Sequence, residues 1–139
     1  MLVIEDETLI ALNVESCLRE AGAAFVKIVN SVDWAQSSLD GGIPFDAAVV
    51  DLYVVDGNAS RLIPVLSERG IPVVITTGAD VDLGHPALSK ATVVLQKPHA
   101  DSDLIEAIVK CGLRFMIKVS SGHPASESTR GPSIFTIVQ

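Results

Sequence analysis

Short apolar runs rich in β-branched residues alternate along this chain with stretches whose apolar positions recur every three or four residues. The first run, LVI at 2–4, precedes positions 8–21, where Ile10, Val14, Cys17, Leu18 and Ala21 share one face of a helix that Gly22 ends. A second run at 25–29 leads into a shorter helical stretch at 31–39, with Ser31 as its cap, Trp34 and Leu39 turned inward, and Gly41 and Gly42 breaking it. The third run, 45–50, is almost continuously apolar, as a strand buried on both faces must be, and Asp51 follows it directly. The same alternation predicts a helix at 59–68, a strand at 71–77, an irregular helix around 82–90, a strand at 92–96 and a helix from 103 to 116. Pro64 and Pro86 fall inside two of those helices, where a proline removes a hydrogen bond and crowds the preceding turn.

Five βα units in series predict a doubly wound α/β fold, a parallel sheet with helices on both faces. Composition agrees, because the chain is 48% hydrophobic but only 4% aromatic, so its core is built from Val, Ile, Leu and Ala. A length of 139 residues supports one such core. A net charge of −7 without a basic stripe argues against direct nucleic-acid binding, which depends on Lys and Arg neutralising phosphates. Cys17 and Cys111 stand alone in apolar surroundings, outside any ligand spacing, and read as reduced thiols of a reducing compartment. No apolar run approaches the roughly 20 residues needed to span a bilayer, so a soluble cytoplasmic protein without membrane contact is expected.

In a sheet of this kind the functional groups gather at the carboxyl ends of the strands. Glu5 and Asp6 end the first predicted strand, Asp51 the third and Thr77 the fourth, and Lys97 follows the fifth. Taken singly each has a plain explanation: Asp51 as a turn residue, the acids at 5–7 as favourable charges at a helix start, Lys97 as a solvated side chain. Together they put three carboxylates, a hydroxyl and an ammonium on one rim. Clustered carboxylates repel unless a cation neutralises them, and Mg²⁺, which takes oxygen ligands and pairs with phosphate, is the natural one. Asp51 is then a nucleophile able to take a phosphoryl group, with Lys97 offsetting charge on its oxygens and Thr77 donating a hydrogen bond. His99 lies beside this set and reads as a surface-loop residue, while His85 and His123 carry no ligand pattern.

The stretches LVIEDE at 2–7, DAAVVDL at 46–52, IPVVITTG at 71–78 and LQKP at 95–98 resemble, in order and approximate spacing, the receiver domains of two-component response regulators. The resemblance covers residues 1–117 and implies a flavodoxin-like (βα)5 sheet of strand order 2-1-3-4-5. It further implies that Glu5 and Asp6 bind Mg²⁺ with Asp51 and the backbone carbonyl of Tyr53. Asp51 becomes the phosphoacceptor, Thr77 the switch hydroxyl, and Lys97 the lysine that precedes a cis bond to Pro98. Two departures stand out. Receivers usually carry Met-Pro and a later Gly after the phosphoacceptor, where this chain reads DLYVVDG, and they usually place an aromatic residue at the position held by Val94. Without an aromatic toggle, a phosphorylation signal must travel through Thr77 and its loop or through another surface. Asp80 and Asp82 add charge near the rim without an assigned role.

Residues 118–139 differ in character: SSGHPASESTRGPS has linker composition, and the terminal IFTIVQ is β-prone, so the tail is either flexible or ends on a sheet edge. The leading functional expectation is a single-domain response regulator that takes phosphate from a sensor histidine kinase or phosphotransfer protein and changes its contact with a downstream protein. A homodimer through the fourth helix, fifth strand and fifth helix, common in the family, is a further expectation. The alternative is a degenerate receiver acting as a phosphorylation-independent interaction or dimerisation module. An aspartyl-phosphate phosphohydrolase is disfavoured because Tyr53 stands where such enzymes place a second acid, and a flavodoxin because acids replace the hydroxyls and glycine of its phosphate loop.

Overall fold

Three residues at the start of the chain, Leu2–Ile4 (β1), lie between two parallel neighbours, Lys27–Val29 (β2) and Ala48–Asp51 (β3). Val73–Thr77 (β6) and Val93–Gln96 (β7) extend the parallel sheet on the far side of β3. The computed structural model describes residues 1–78, 86–91, 93–112 and 136–137. Counted over these five strands the order is the expected 2-1-3-4-5 pattern of a flavodoxin-like sheet, and a two-residue strand, Thr136–Ile137 (β8), pairs antiparallel with the edge of β7. The β-prone end of the tail thus sits on a sheet edge. The remainder of the expected tail, the boundary at 117 and His123 lie outside the described residues.

Alternation along each strand divides the core in two. Leu2, Ile4, Ala48, Val50, Val73, Ile75 and Val94 face one layer, with Val32, Ala35, Leu39, Leu62, Ile63 and Leu66 from the helices Val32–Asp40 (α2) and Leu62–Glu68 (α3). Val3, Ala47, Val49, Val74, Val93 and Leu95 face the other, with Val14, Cys17, Leu18, Leu104, Ala107 and Ile108 from Thr8–Glu20 (α1) and Asp101–Lys110 (α4). Both faces of the sheet are therefore covered. Among the described residues no helix is long and apolar enough to cross a membrane.

Local chemistry explains where the elements stop. Gly22 and Gly70, at φ 108° and 70°, close α1 and α3, and the following residues bond back, Ala23 N–H to the Leu18 carbonyl and Ile71 N–H to the Leu66 carbonyl, both 2.9 Å. Ser31 caps α2, its hydroxyl accepting from Trp34 N–H at 3.2 Å. α4 starts at Asp101, ahead of the expected 103, because the Asp103 carboxylate accepts from Ala100 N–H. It ends at Lys110, short of the expected 116: Cys111 and Gly112, the latter at φ 82°, form a turn, and residues 113–116 lie outside the described residues.

Three expectations need correction. Trp34 is 66% exposed, because Val32, Ala35 and Leu39 form the inner face of α2 and Trp34, five residues from Leu39, lies about 140° round the helix from it. The third helix begins with a 3-10 turn, Ala59–Arg61, so Pro64 falls in the first turn of α3, where its missing N–H breaks no intrahelical bond. The helix expected at 82–90 is, over its described part, a 3-10 turn, Pro86–Lys90, in which Pro86 leads and Leu88 is buried; His85, Asp80 and Asp82 fall outside the described residues.

Both cysteines are free thiols, Cys17 buried and Cys111 half-buried. Burial, helped by the negative charges of Asp101 and Glu20, pushes the Cys17 thiol up to about 11. Above pH 9 the unfolded chain ionises this thiol while the fold keeps it protonated, so stability falls as pH rises towards 11. The stability advantage of wild type over Cys17→Ala is expected to shrink across that interval in urea titrations. In the same assay at pH 7, Leu66→Ala is expected to lose about 2–5 kcal/mol, and Trp34→Ala no more than about 0.5 kcal/mol.

Candidate metal and phosphoryl site

β1 and β3 are neighbours with Ile4 opposite Val50, so the residues that follow, Glu5 and Asp51, meet at the carboxyl rim of the sheet. Asp6 joins them, and carboxylate oxygens of all three lie within 4.8 Å of one another. Glu5 and Asp51 are only 4% and 8% exposed, whereas Asp6 is open to solvent. Lys97, at the end of β7, reaches across β6 to place its Nζ 2.8 Å from Glu5 Oε2 and 3.1 Å from Asp51 Oδ2. One ammonium thus bridges the two buried acids.

The electrostatics follow from that packing. Burial raises the pKa of the Glu5 carboxyl and the nearby Asp51 charge adds to the rise, against the hydrogen bonds from Lys97 and the Glu7 amide. For Lys97 burial works to lower the pKa, but the hydrogen bonds to Glu5 and Asp51 and their charges outweigh it, so the ammonium is held above its ordinary range. Three carboxylates against one lysine leave surplus negative charge, and an all-oxygen donor set on an open rim fits a hard divalent cation such as Mg²⁺. The residues present therefore fit the cation that the resemblance implies.

Thr77 ends β6 on the same rim, one residue beyond Thr76, which lies opposite Asp51. It is 2% exposed, and its carbonyl accepts from the Lys97 amide at 2.7 Å, tying β6 to the lysine's backbone. The Lys97–Pro98 peptide is cis. Tyr53 donates its amide to Asp51 Oδ1 at 3.2 Å, and the residue is 55% exposed. His99 is half-buried and, with Leu9, Ile10, Asn13, Val14, Lys97 and Pro98, lines an open groove of about 480 Å³ beside the cluster.

The segment after Asp51 is a miniature hairpin, Tyr53–Val54 (β4) against Gly57–Asn58 (β5), with Val55 and Asp56 at its turn. Asp56 was not among the residues singled out from the sequence. Its Oδ1 accepts from Val32 N–H at 2.8 Å and its Oδ2 from Asp33 N–H at 3.1 Å, fastening the hairpin to the start of α2. The Asp-Gly pair at 56–57 signals a turn in this segment, though not the contact that Asp56 makes with α2.

Solved response-regulator receivers are among the structures that this chain resembles. A response regulator receiver protein from Sinorhizobium medicae is 27% identical over 79% of this chain and 90% of its own, with a TM-score of 0.69. A CheY-like receiver domain from Methylobacillus flagellatus follows at 24% identity and TM-score 0.70, covering 79% of this chain and 95% of its own. One from Methanospirillum hungatei, at 22% and 0.70, covers 78% and 89%. This chain has the response-regulator receiver fold. No protein-family model and no curated protein matches it in sequence.

Within the receiver fold the two departures have visible consequences. Val94 is 6% exposed and belongs to the same core layer as Leu88 and Ala91, so it packs as an ordinary core residue. The loop usually carrying Met-Pro is the hairpin pinned by Asp56. Replacing Lys97 with Met removes the cation that offsets the repulsion between Glu5 and Asp51, so the Glu5 carboxyl is expected to titrate higher still than in the wild type. Carboxyl-carbon NMR through a pH series checks the direction; an unchanged or lower midpoint contradicts it.

Proposed function

We propose that the chain is a response-regulator receiver module that accepts a phosphoryl group on Asp51 from a sensor histidine kinase or phosphotransfer protein and thereby changes its binding to a downstream protein. The observation that carries this reading is the convergence of Glu5, Asp6 and Asp51 within 4.8 Å, with Lys97 bridging Glu5 and Asp51, at the strand ends of a receiver fold. Mg²⁺ bound there supplies neutralising charge for both the carboxylates and the incoming phosphate. Glu5, Asp6, Asp51 and the Tyr53 carbonyl are its proposed ligands.

Asp51 attacks through a carboxylate oxygen. The P–N bond to the donor imidazole breaks as the aspartyl P–O bond forms, and the imidazole nitrogen takes the bonding pair and a proton from solvent. Lys97 is already within hydrogen-bond reach of Asp51 and turns part of its charge to the phosphoryl oxygens, while Thr77 offers its hydroxyl to the same group. The chain promotes its own modification and turns over no separate substrate, and its place of work is the cytoplasm.

Intact-mass spectrometry after incubation with Mg²⁺ and acetyl phosphate is expected to show one added phosphoryl group on the wild type and none on Asp51→Asn. Absence of the adduct from wild type, or equal modification of the variant, contradicts the assignment.

A further inference from the structure

The hairpin after Asp51 is held at both ends. At its root Tyr53 N–H bonds to Asp51 Oδ1 at 3.2 Å, and the Leu52 carbonyl accepts from Ala59 N–H at 2.7 Å, closing the loop on itself. At its tip, where Val55 is 73% exposed, Asp56 supplies both carboxylate oxygens to the first two amides of α2. These amides have no partner within the helix, and a carboxylate at a helix start is favoured by the helix dipole as well. The cap provided by Ser31 serves a different amide, that of Trp34, so the two side chains divide the helix start between them. A second link, Arg61 to Asp33 at 2.9 Å, joins the end of the connection to the same turn of α2.

α2 is itself seated on the part of the sheet that carries Glu5. Val32, Ala35 and Leu39 pack in one layer with Leu2 and Ile4 of β1 and Val29 of β2. Asp56 therefore ties the segment bearing Tyr53, through α2, to the strand that leads into Glu5 and Asp6, closing a ring of contacts beside the cluster. We propose that Asp56 is a positioning residue, whose clamp on α2 holds the 52–58 hairpin so that Asp51 and the Tyr53 carbonyl are presented in fixed register with Glu5 and Asp6. This rests on the metal site proposed above and assigns a task to a residue outside it. In this chain the clamp stabilises a loop that has no proline to stiffen it.

Outer groups that orient ligands typically alter metal affinity by roughly 10–100-fold when removed. Isothermal titration of the full chain with Mg²⁺ is expected to show roughly tenfold weaker binding for Asp56→Ala, a smaller loss for Asp56→Asn, which keeps one acceptor oxygen, and less than a twofold change for Arg61→Ala. Amide hydrogen exchange is expected to quicken in Asp56→Ala at Val32, Asp33 and also Tyr53, while the amides of β6 keep wild-type rates. Binding by Asp56→Ala within twofold of wild type overturns the proposal, as does equal weakening by Arg61→Ala. If the wild type binds no Mg²⁺, the metal reading fails and exchange decides the clamp: faster exchange at Tyr53 sustains it, and an unchanged Tyr53 amide overturns it.

Discussion

Repulsion between carboxylates is the constraint around which the carboxyl rim of this sheet is built. A parallel arrangement of β1 and β3 brings Glu5 and Asp51 side by side whatever their chemistry, because the register puts Ile4 opposite Val50. Buried there without compensation, the two charges would cost several kcal/mol and drive one carboxyl to hold a proton. Lys97 opposes this by bridging them from the end of β7, although burial still leaves the Glu5 carboxyl above its ordinary range. The remaining acid, Asp6, is exposed and leaves the rim with excess negative charge, the condition under which a divalent cation binds.

Much of this was legible in the sequence because strand order and strand ends follow from few signals. Largely apolar runs at 45–50, 71–77 and 92–96 mark buried parallel strands, and in a doubly wound sheet the residues at the end of each run fall on a known rim. Asp51, Thr77 and Lys97 needed no more than that. Side-chain direction within a short helix was harder: Trp34 and Leu39 both belong to an apolar set, but nine residues give too few turns for periodicity to say which of them faces the sheet. Prolines misled in the other direction. Pro64 and Pro86 argue against helix interiors, and the structure accommodates each at the start of a helical turn, a boundary that propensity alone does not locate.

The Asp56 clamp was hidden for a different reason. Asp56 bonds to Val32 and Asp33 across 24 and 23 residues of chain, and no local pattern announces a cap supplied by a distant loop. Val94 was singled out in the sequence as a departure, but its packing was not legible there. The structure adds that it shares a core layer with Leu88 and Ala91 and packs there as an ordinary aliphatic residue. Around the carboxyl rim stand a hairpin fastened to α2 on one side and an aliphatic strand on the other, and β8 lies along the edge of β7.

Paramagnetic broadening by Mn²⁺, a stand-in for Mg²⁺ with the same taste for oxygen ligands, locates the cation without depending on phosphorylation. The account predicts that substoichiometric Mn²⁺ erases the amide signals of residues 5–7, 51–53 and 97 first, and that Asp51→Asn weakens the effect. Broadening centred elsewhere, or spread evenly over the acidic surface, would contradict the convergence of Glu5, Asp6 and Asp51 on a single cation.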